Sequence, residues 1–213
     1  THPESFAYIP FHTPFPGMVR KAAGLGYRHC IRGTDIEDQL ADRIGRQPRQ
    51  EALDSEEAYF EAIKEYTDAL TETEHYTDWY EHTVNPTLDI SRDVGNWYTG
   101  SVHIARVSGL LRALEEGRNL TGKQLLVGSY GSGAQAEIHA ETVQDTWEEE
   151  VGALSIKAQI EARYDLSFDE YEEIHDVHNH DAETDIEPRT TPDCEFVFDG
   201  WGRMGERKYT YVE

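Results

Sequence analysis

The spacing of apolar side chains changes repeatedly along this chain, and each change marks an element. Ser5 to Phe11 (SFAYIPF) is dense in aromatic residues and reads as a short buried strand ending at His12. Pro14 and Pro16 interrupt it, and Pro16-Gly17 opens a helix through His29, with proline near the first helical position, where its missing N–H costs nothing. Ile36, Leu40 and Ile44 repeat at helical spacing behind Thr34, which predicts a second helix to about Gly45 with Thr34 as its cap. Asp54 and Glu57 form a capping-box-like start for a third helix through Leu70, and a fourth covers Glu74 to His82. After the break at Asn85-Pro86, Thr87 to Ile90 is a strand candidate. A long helix from Trp97 to Glu116 carries a broad stripe of Val102, Ala105, Val107, Leu110, Leu111 and Leu114.

The run from Gln124 to Val143 predicts two strands around a bend at Tyr130-Gly131-Ser132-Gly133, where the glycines permit a tight turn or a close backbone approach. Val151 to Tyr164 reads as one helix, Ser167 to His175 begins another, 176–193 is a polar exposed loop, and the final stretch from Cys194 is a hairpin of two strands. Strands separated by helices imply an α/β fold, a mixed sheet with helices packed on it. The region near 34–83 stands out as an acidic helical insertion whose polar positions are a solvated face.

Charge narrows the field. Among 213 residues there are 42 acidic and 19 basic side chains, a formal net charge of −23 that opposes nucleic acid or an anionic membrane as partner. Lysines stand only at 21, 64, 123, 157 and 208, so arginine supplies the remaining 14 of the 19 basic residues. An acidic, lysine-poor surface fits a protein working in concentrated salt, where self-repulsion is screened, and so a halophilic and archaeal host; an ordinary acidic cytosolic protein is the alternative. No apolar run approaches the roughly 20 residues that span a bilayer and no signal peptide is visible, so a cytoplasmic location is expected. Cys30 and Cys194 are too few for a disulfide framework. The opening at Thr1, directly into a strand-like stretch, suggests a fragment or a processed chain.

Three constellations carry chemistry: FHTPFPGMVRKA (Phe11 to Ala22), GNWYTGS (Gly95 to Ser101) and SYGSG (Ser129 to Gly133). Taken singly, His12 could be an ordinary histidine, Asn96 a helix cap and the glycines a turn. In order and spacing they resemble the hydroxymethylglutaryl-CoA synthase family of the thiolase superfamily, together with its relatives that install β-branches in polyketide synthesis. The matching positions are Phe11-His12-Thr13-Pro14-Phe15; Gly95-Asn96, Tyr98-Thr99 and Ser101; and Gly122-Lys123 followed by Tyr130 to Gly133.

The resemblance implies a thiolase-like fold of two similar halves, each a mixed five-stranded sheet with flanking helices, of which this chain is the C-terminal one. It implies an acyltransferase that joins acetyl-CoA to acetoacetyl-CoA with water, giving 3-hydroxy-3-methylglutaryl-CoA in the mevalonate route to isoprenoids. No cofactor is expected beyond these coenzyme A thioesters. His12 and Asn96 correspond to the pair that holds the acceptor thioester, and a neutral imidazole N–H and a carboxamide NH₂ suit that task because neither carries a charge to desolvate. Pro14, Gly95, Tyr98, Gly131 and Ser132 are expected to line the same pocket.

Where many family members carry a lysine, this chain has Gly17, so contact to the coenzyme phosphates is assigned to Arg20 and Lys21. Arg92-Asp93-Val94 is a second departure, and both leave open whether the acceptor rides on coenzyme A or on a carrier protein. The family's cysteine nucleophile and glutamate base belong to the other half; Cys30, beside Arg28 and Arg32, could have a lowered pKa but has no catalytic place in the pattern. The chain alone is therefore expected to lack synthase activity, with the N-terminal half as its partner and a homodimer as the complete enzyme. Rival readings are a polyketide β-branching synthase and a non-catalytic thiolase-like scaffold. The tract His175, Asp176, His178, His180 and Asp181 could bind a divalent metal, but its spacing matches no standard zinc motif and a solvated loop is preferred, so no metal is expected.

Overall fold

The structure, a computed structural model, describes residues 3–131, 135–172, 196–201 and 207–211. It divides into two units, Thr1–Glu161 and Ala162–Glu213. In the first unit the helices are α1 (Pro16–Ile31), α2 (Asp35–Ile44), α3 (Glu56–Thr71), α4 (Glu74–Thr83), α5 (Asp89–Val94), α6 (Ser101–Glu115), α7 (Trp147–Gly152) and α8 (Ile156–Glu161), and an antiparallel hairpin joins β1 (Gln124–Gly131) to β2 (Gln135–Thr142). In the second, residues 168–172 are helical and β3 (Phe196–Trp201) pairs antiparallel with β4 (Arg207–Tyr211).

The stretch before His12 is extended and runs parallel to β1, with bridges at Tyr8–Leu125 and Phe11–Gly128. Between them, the Leu126 N–H donates to the Tyr8 carbonyl and the Gly128 N–H to the Pro10 carbonyl. Pro10 has no N–H to return, so the ladder breaks there into two isolated bridges instead of one strand. Alternation along this segment divides the core. Tyr8 packs with Ile90, Val102, Leu111, Leu125, Val127 and Trp147, while Ile9 packs with Val19, Ile31, Leu40, Leu70, Tyr76 and Leu88 on the other side. Fully burying each such aliphatic chain contributes about 1.5–3 kcal/mol.

The 34–83 region is packed through its apolar stripe, since Ile36 and Leu40 of α2, Tyr66 and Leu70 of α3, and Tyr76, Trp79 and Tyr80 of α4 all enter the Ile9 cluster with α1. Caps differ in detail from expectation. Ser55, not Asp54, caps α3 by accepting the Ala58 N–H (3.1 Å). Thr34 stands at the start of α2, but its hydroxyl donates to the Ile31 carbonyl (2.6 Å), and the Glu37 carboxylate instead receives the N–H groups of Gly33 and Gln47.

Three expectations are corrected. The Thr87–Ile90 strand candidate is a 3-10 turn (Asn85–Leu88) running into α5: Pro86 presets the turn, the Thr87 hydroxyl folds back to the Val84 carbonyl (2.7 Å), and Leu88 and Ile90, which alternate with Thr87 and Asp89 as in a strand, enter two different clusters instead of one face. The single helix over Val151–Tyr164 is two short ones, because after Gly152 the chain restarts at Ser155, whose carbonyl and hydroxyl both engage Gln159. The described residues form two two-stranded sheets, with the Tyr8–His12 stretch alongside β1, and no five-stranded sheet. No helix among them is long and apolar enough to cross a membrane.

Candidate active site

His12 lies where the extended segment leaves β1, and its backbone is tied there, its N–H donating to the Gly128 carbonyl (2.7 Å). The strand must come close for this. A Cβ at position 128 would sit 3.0 Å from Phe11 Cδ1, which is why glycine occupies it. The half-buried His12 ring has its Nδ1 2.7 Å from the hydroxyl oxygen of Ser101, the first residue of α6. Ser101 is fully buried and also accepts the N–H of buried Thr13 (3.1 Å), while the Thr13 hydroxyl donates to the Phe11 carbonyl (2.8 Å). Tyr130, at the end of β1, presents its ring 6.2 Å from that of His12, centroid to centroid, at 53°. No hydrogen bond engages the His12 Nε2 among the described residues.

Asn96 sits on the loop between α5 and α6. Gly95 ends α5 with φ +86°, a conformation that favours glycine, and its N–H closes on the Ser91 carbonyl. The Asn96 side-chain oxygen then accepts the Tyr98 N–H (2.7 Å), and Tyr98 adopts φ +50°. Only the carbonyl end of a carboxamide can accept a backbone N–H, so this bond fixes the amide's orientation and turns its NH₂ outward as a donor with no partner among the described residues. Asn96 is exposed and makes no hydrogen bond to His12; the two are linked through the loop that ends at Ser101.

The remaining predicted residues are less tightly gathered. Pro14 is half-buried beside Thr13, and Tyr98 projects outward at 76% exposure. Gly131 ends β1 in open surroundings next to Tyr130, and Ser132 lies outside the described residues. Arg20 and Lys21 are exposed on α1 and line a groove of about 620 Å³ against α3, where Lys64 joins them beside Leu25, Phe60 and Ile63. Three of the 19 basic side chains thus share one groove, which Asp68 and Glu72 also line.

Cys30 does not have the lowered pKa its basic neighbours suggested. Burial pushes the thiol up, away from the thiolate a nucleophile needs. The His175–Asp181 tract and Cys194 lie outside the described residues, and among those described no group of three or more His, Cys, Asp or Glu is arranged to hold a metal. Sequence reasoning recorded Ser101 only as a position of the second motif; its contact with His12 depends on a meeting of two segments 89 positions apart. The one signal available was its fixed place behind Gly95-Asn96.

The comparisons with known proteins point to one family. The family described as hydroxymethylglutaryl-coenzyme A synthase C terminal matches residues 2–200. A hydroxymethylglutaryl-CoA synthase of Haloferax volcanii is 64% identical over 213 residues, all of this chain and 48% of the relative, so the chain spans about half the length of that protein. The structure of MvaS in complex with 3-hydroxy-3-methylglutaryl coenzyme A superposes with a TM-score of 0.65 at 24% identity, over 99% of this chain and 42% of that one. The HMG synthase of the curacin biosynthetic pathway superposes with 0.68 at 21% identity, over 100% and 45%. These likenesses show the thiolase-like fold of one half of such enzymes. With a family match over residues 2–200 and a relative 64% identical across all of it, the chain belongs to the hydroxymethylglutaryl-CoA synthase family, as its C-terminal part.

Proposed function

We propose that this chain is the acceptor-binding half of a 3-hydroxy-3-methylglutaryl-CoA synthase that condenses acetyl-CoA with acetoacetyl-CoA and water. The observation that carries the reading is the fixing of the His12 backbone by Gly128 and of its ring by Ser101, with the Asn96 amide oriented by Tyr98, which leaves the His12 Nε2 and the Asn96 NH₂ without a partner among the described residues. Two neutral donors held this way suit the acceptor's thioester carbonyl, which they can hold without a charge to desolvate while its C3 ketone is presented for attack. The other half of the enzyme supplies the cysteine that carries the acetyl group and the carboxylate that removes a methyl proton. The resulting carbanion adds to the C3 ketone of the acceptor held by this chain, the alkoxide takes up a proton, and water cleaves the enzyme thioester to release the product. Arg20 and Lys21, with Lys64 nearby, are the groups here that can meet coenzyme phosphates. No cofactor enters this scheme, and the reaction runs in the cytoplasm of a halophile on a homodimer of complete chains.

The test is turnover in concentrated KCl by the full-length protein and by this chain alone, following consumption of acetoacetyl-CoA. The full-length protein is expected to turn over and the isolated chain is not. His12→Ala and Asn96→Ala should each lower kcat/KM by roughly 10²–10³, the effect of losing one such donor. Turnover by the isolated chain overturns the division of labour, and unimpaired variants favour a scaffold. A Bacillus subtilis relative named polyketide biosynthesis 3-hydroxy-3-methylglutaryl-ACP synthase, 26% identical over 171 residues, raises the carrier-linked alternative; faster turnover with a carrier-linked acceptor than with acetoacetyl-CoA would select it.

A further inference from the structure

The structure leaves one question about His12 unanswered by geometry alone, namely which ring nitrogen bears the proton, and Ser101 answers it. We infer that Ser101 is a positioning residue that donates its hydroxyl proton to Nδ1 of His12, holding the neutral ring as the Nε2–H tautomer with its N–H turned to the acceptor site. The hydroxyl has one hydrogen. Its oxygen accepts the Thr13 N–H, and its other partner among the described residues is Nδ1, at 2.7 Å. Ser101 is 0% exposed, so bulk solvent does not reach that hydrogen. Were Nδ1 protonated instead, two donors would point at the serine oxygen and its own hydrogen would be buried without an acceptor, an arrangement disfavoured about ten-fold or more in the tautomer ratio.

The serine itself is well anchored. It is the first residue of α6, whose Val102, Ala105 and Leu111 are buried, and the Thr13 N–H holds its oxygen from the opposite direction. With the His12 N–H tied to Gly128, the histidine is fixed at its backbone by β1 and at its ring by α6, which are consecutive elements of one core. A ring held at Nδ1 has a single donor left to offer. The hydroxyl therefore sets both the tautomer and the direction of that donor. The role rests on the acceptor-binding reading of His12, but the tautomer itself does not.

The deciding measurement is a long-range ¹H–¹⁵N spectrum of the 213-residue chain labelled at histidine nitrogen, recorded in KCl above neutral pH, with the His12 signals assigned by their loss in His12→Gln. A pyridine-type Nδ1 and a pyrrole-type Nε2 are expected, and a pyrrole-type Nδ1 overturns the inference without any variant being needed. In Ser101→Ala the Nδ1 signal should shift as its hydrogen bond is lost, and ring nitrogens unmoved by the substitution also overturn it. In the full-length enzyme Ser101→Ala should lower kcat by about ten- to a hundred-fold, the scale of losing an orienting partner, and unchanged turnover in an active enzyme overturns the positioning role. If the unsubstituted enzyme has no synthase activity, the functional reading fails while the spectrum still decides the tautomer.

Discussion

Gly24 of α1 lies where α1 meets α3. A Cβ built there comes to 2.9 Å from the methyl carbon of Thr71 and 3.1 Å from that of Thr67, against an ordinary carbon–carbon separation of about 3.5–4.0 Å. Neither threonine can swing its methyl away freely, because each hydroxyl is bonded to its own helix, Thr67 to the Ile63 carbonyl (2.7 Å) and Thr71 to the Asp68 carbonyl (2.9 Å). Gly24→Ala therefore sets two effects against each other. Alanine in a helix gains about 1 kcal/mol over glycine, whereas overpacking costs about 1–3 kcal/mol. The net expectation is a loss of roughly 1 kcal/mol, or a fall in melting temperature of about 2–4 °C for a unit of this size. Thermal unfolding by far-UV circular dichroism at fixed KCl measures it. In a Thr67→Ser, Thr71→Ser background the methyls are gone, and the same alanine should then stabilise by up to about 1 kcal/mol. A rise in melting temperature on Gly24→Ala with both threonines present would refute the reasoning.

Three further outcomes follow from features already described. Burial alone would raise the Glu141 carboxyl, but hydrogen bonds from Arg106 and His139 outweigh it and hold its pKa below the usual carboxylate range. Its stabilising contribution is present above the unfolded pKa and lost as pH falls through the folded one, so Arg106→Ala should flatten the acid limb of a stability–pH curve, and an unchanged limb counts against it. The raised Cys30 thiol should be alkylated by iodoacetamide more slowly than free cysteine at neutral pH, and peptide mass spectrometry that finds faster labelling would restore it as a reactive group. With a net charge of −23, raising KCl from about 0.1 to 1 M, which shortens the Debye length from about 10 to 3 Å, should raise the melting temperature; a flat response contradicts the halophilic reading.

Much of the helical architecture was legible because Ile36, Leu40 and the α6 stripe repeat at helical spacing and proline opens α1. The β1–β2 hairpin was legible from its apolar run and glycine bend. What the sequence obscured depends on neighbours distant along the chain. Leu88 and Ile90 look like strand positions because they alternate with Thr87 and Asp89, yet they serve two different clusters, and periodicity does not say which core a residue enters. Pro10 looked harmless in a short strand until β1 was laid beside it. At the candidate site, His12 and Asn96 were singled out through the order of motifs, and the structure supplies what fixes their side chains. The Tyr98 N–H orients the amide and Ser101 meets the ring. Neither bond leaves a local pattern beyond a serine at a helix start.

The contact between His12 and Ser101 also has a consequence in time. It closes a loop of 89 positions, and every helix from α1 to α5 lies inside that loop. During synthesis His12 leaves the ribosome long before its partner, so the imidazole waits for about half of the first unit to be made and packed. Contacts of such sequence separation form late and slow the folding of the chains that depend on them. The ring of His12 should therefore acquire its final environment among the last events of folding, which makes it a native reporter of when the first unit is complete.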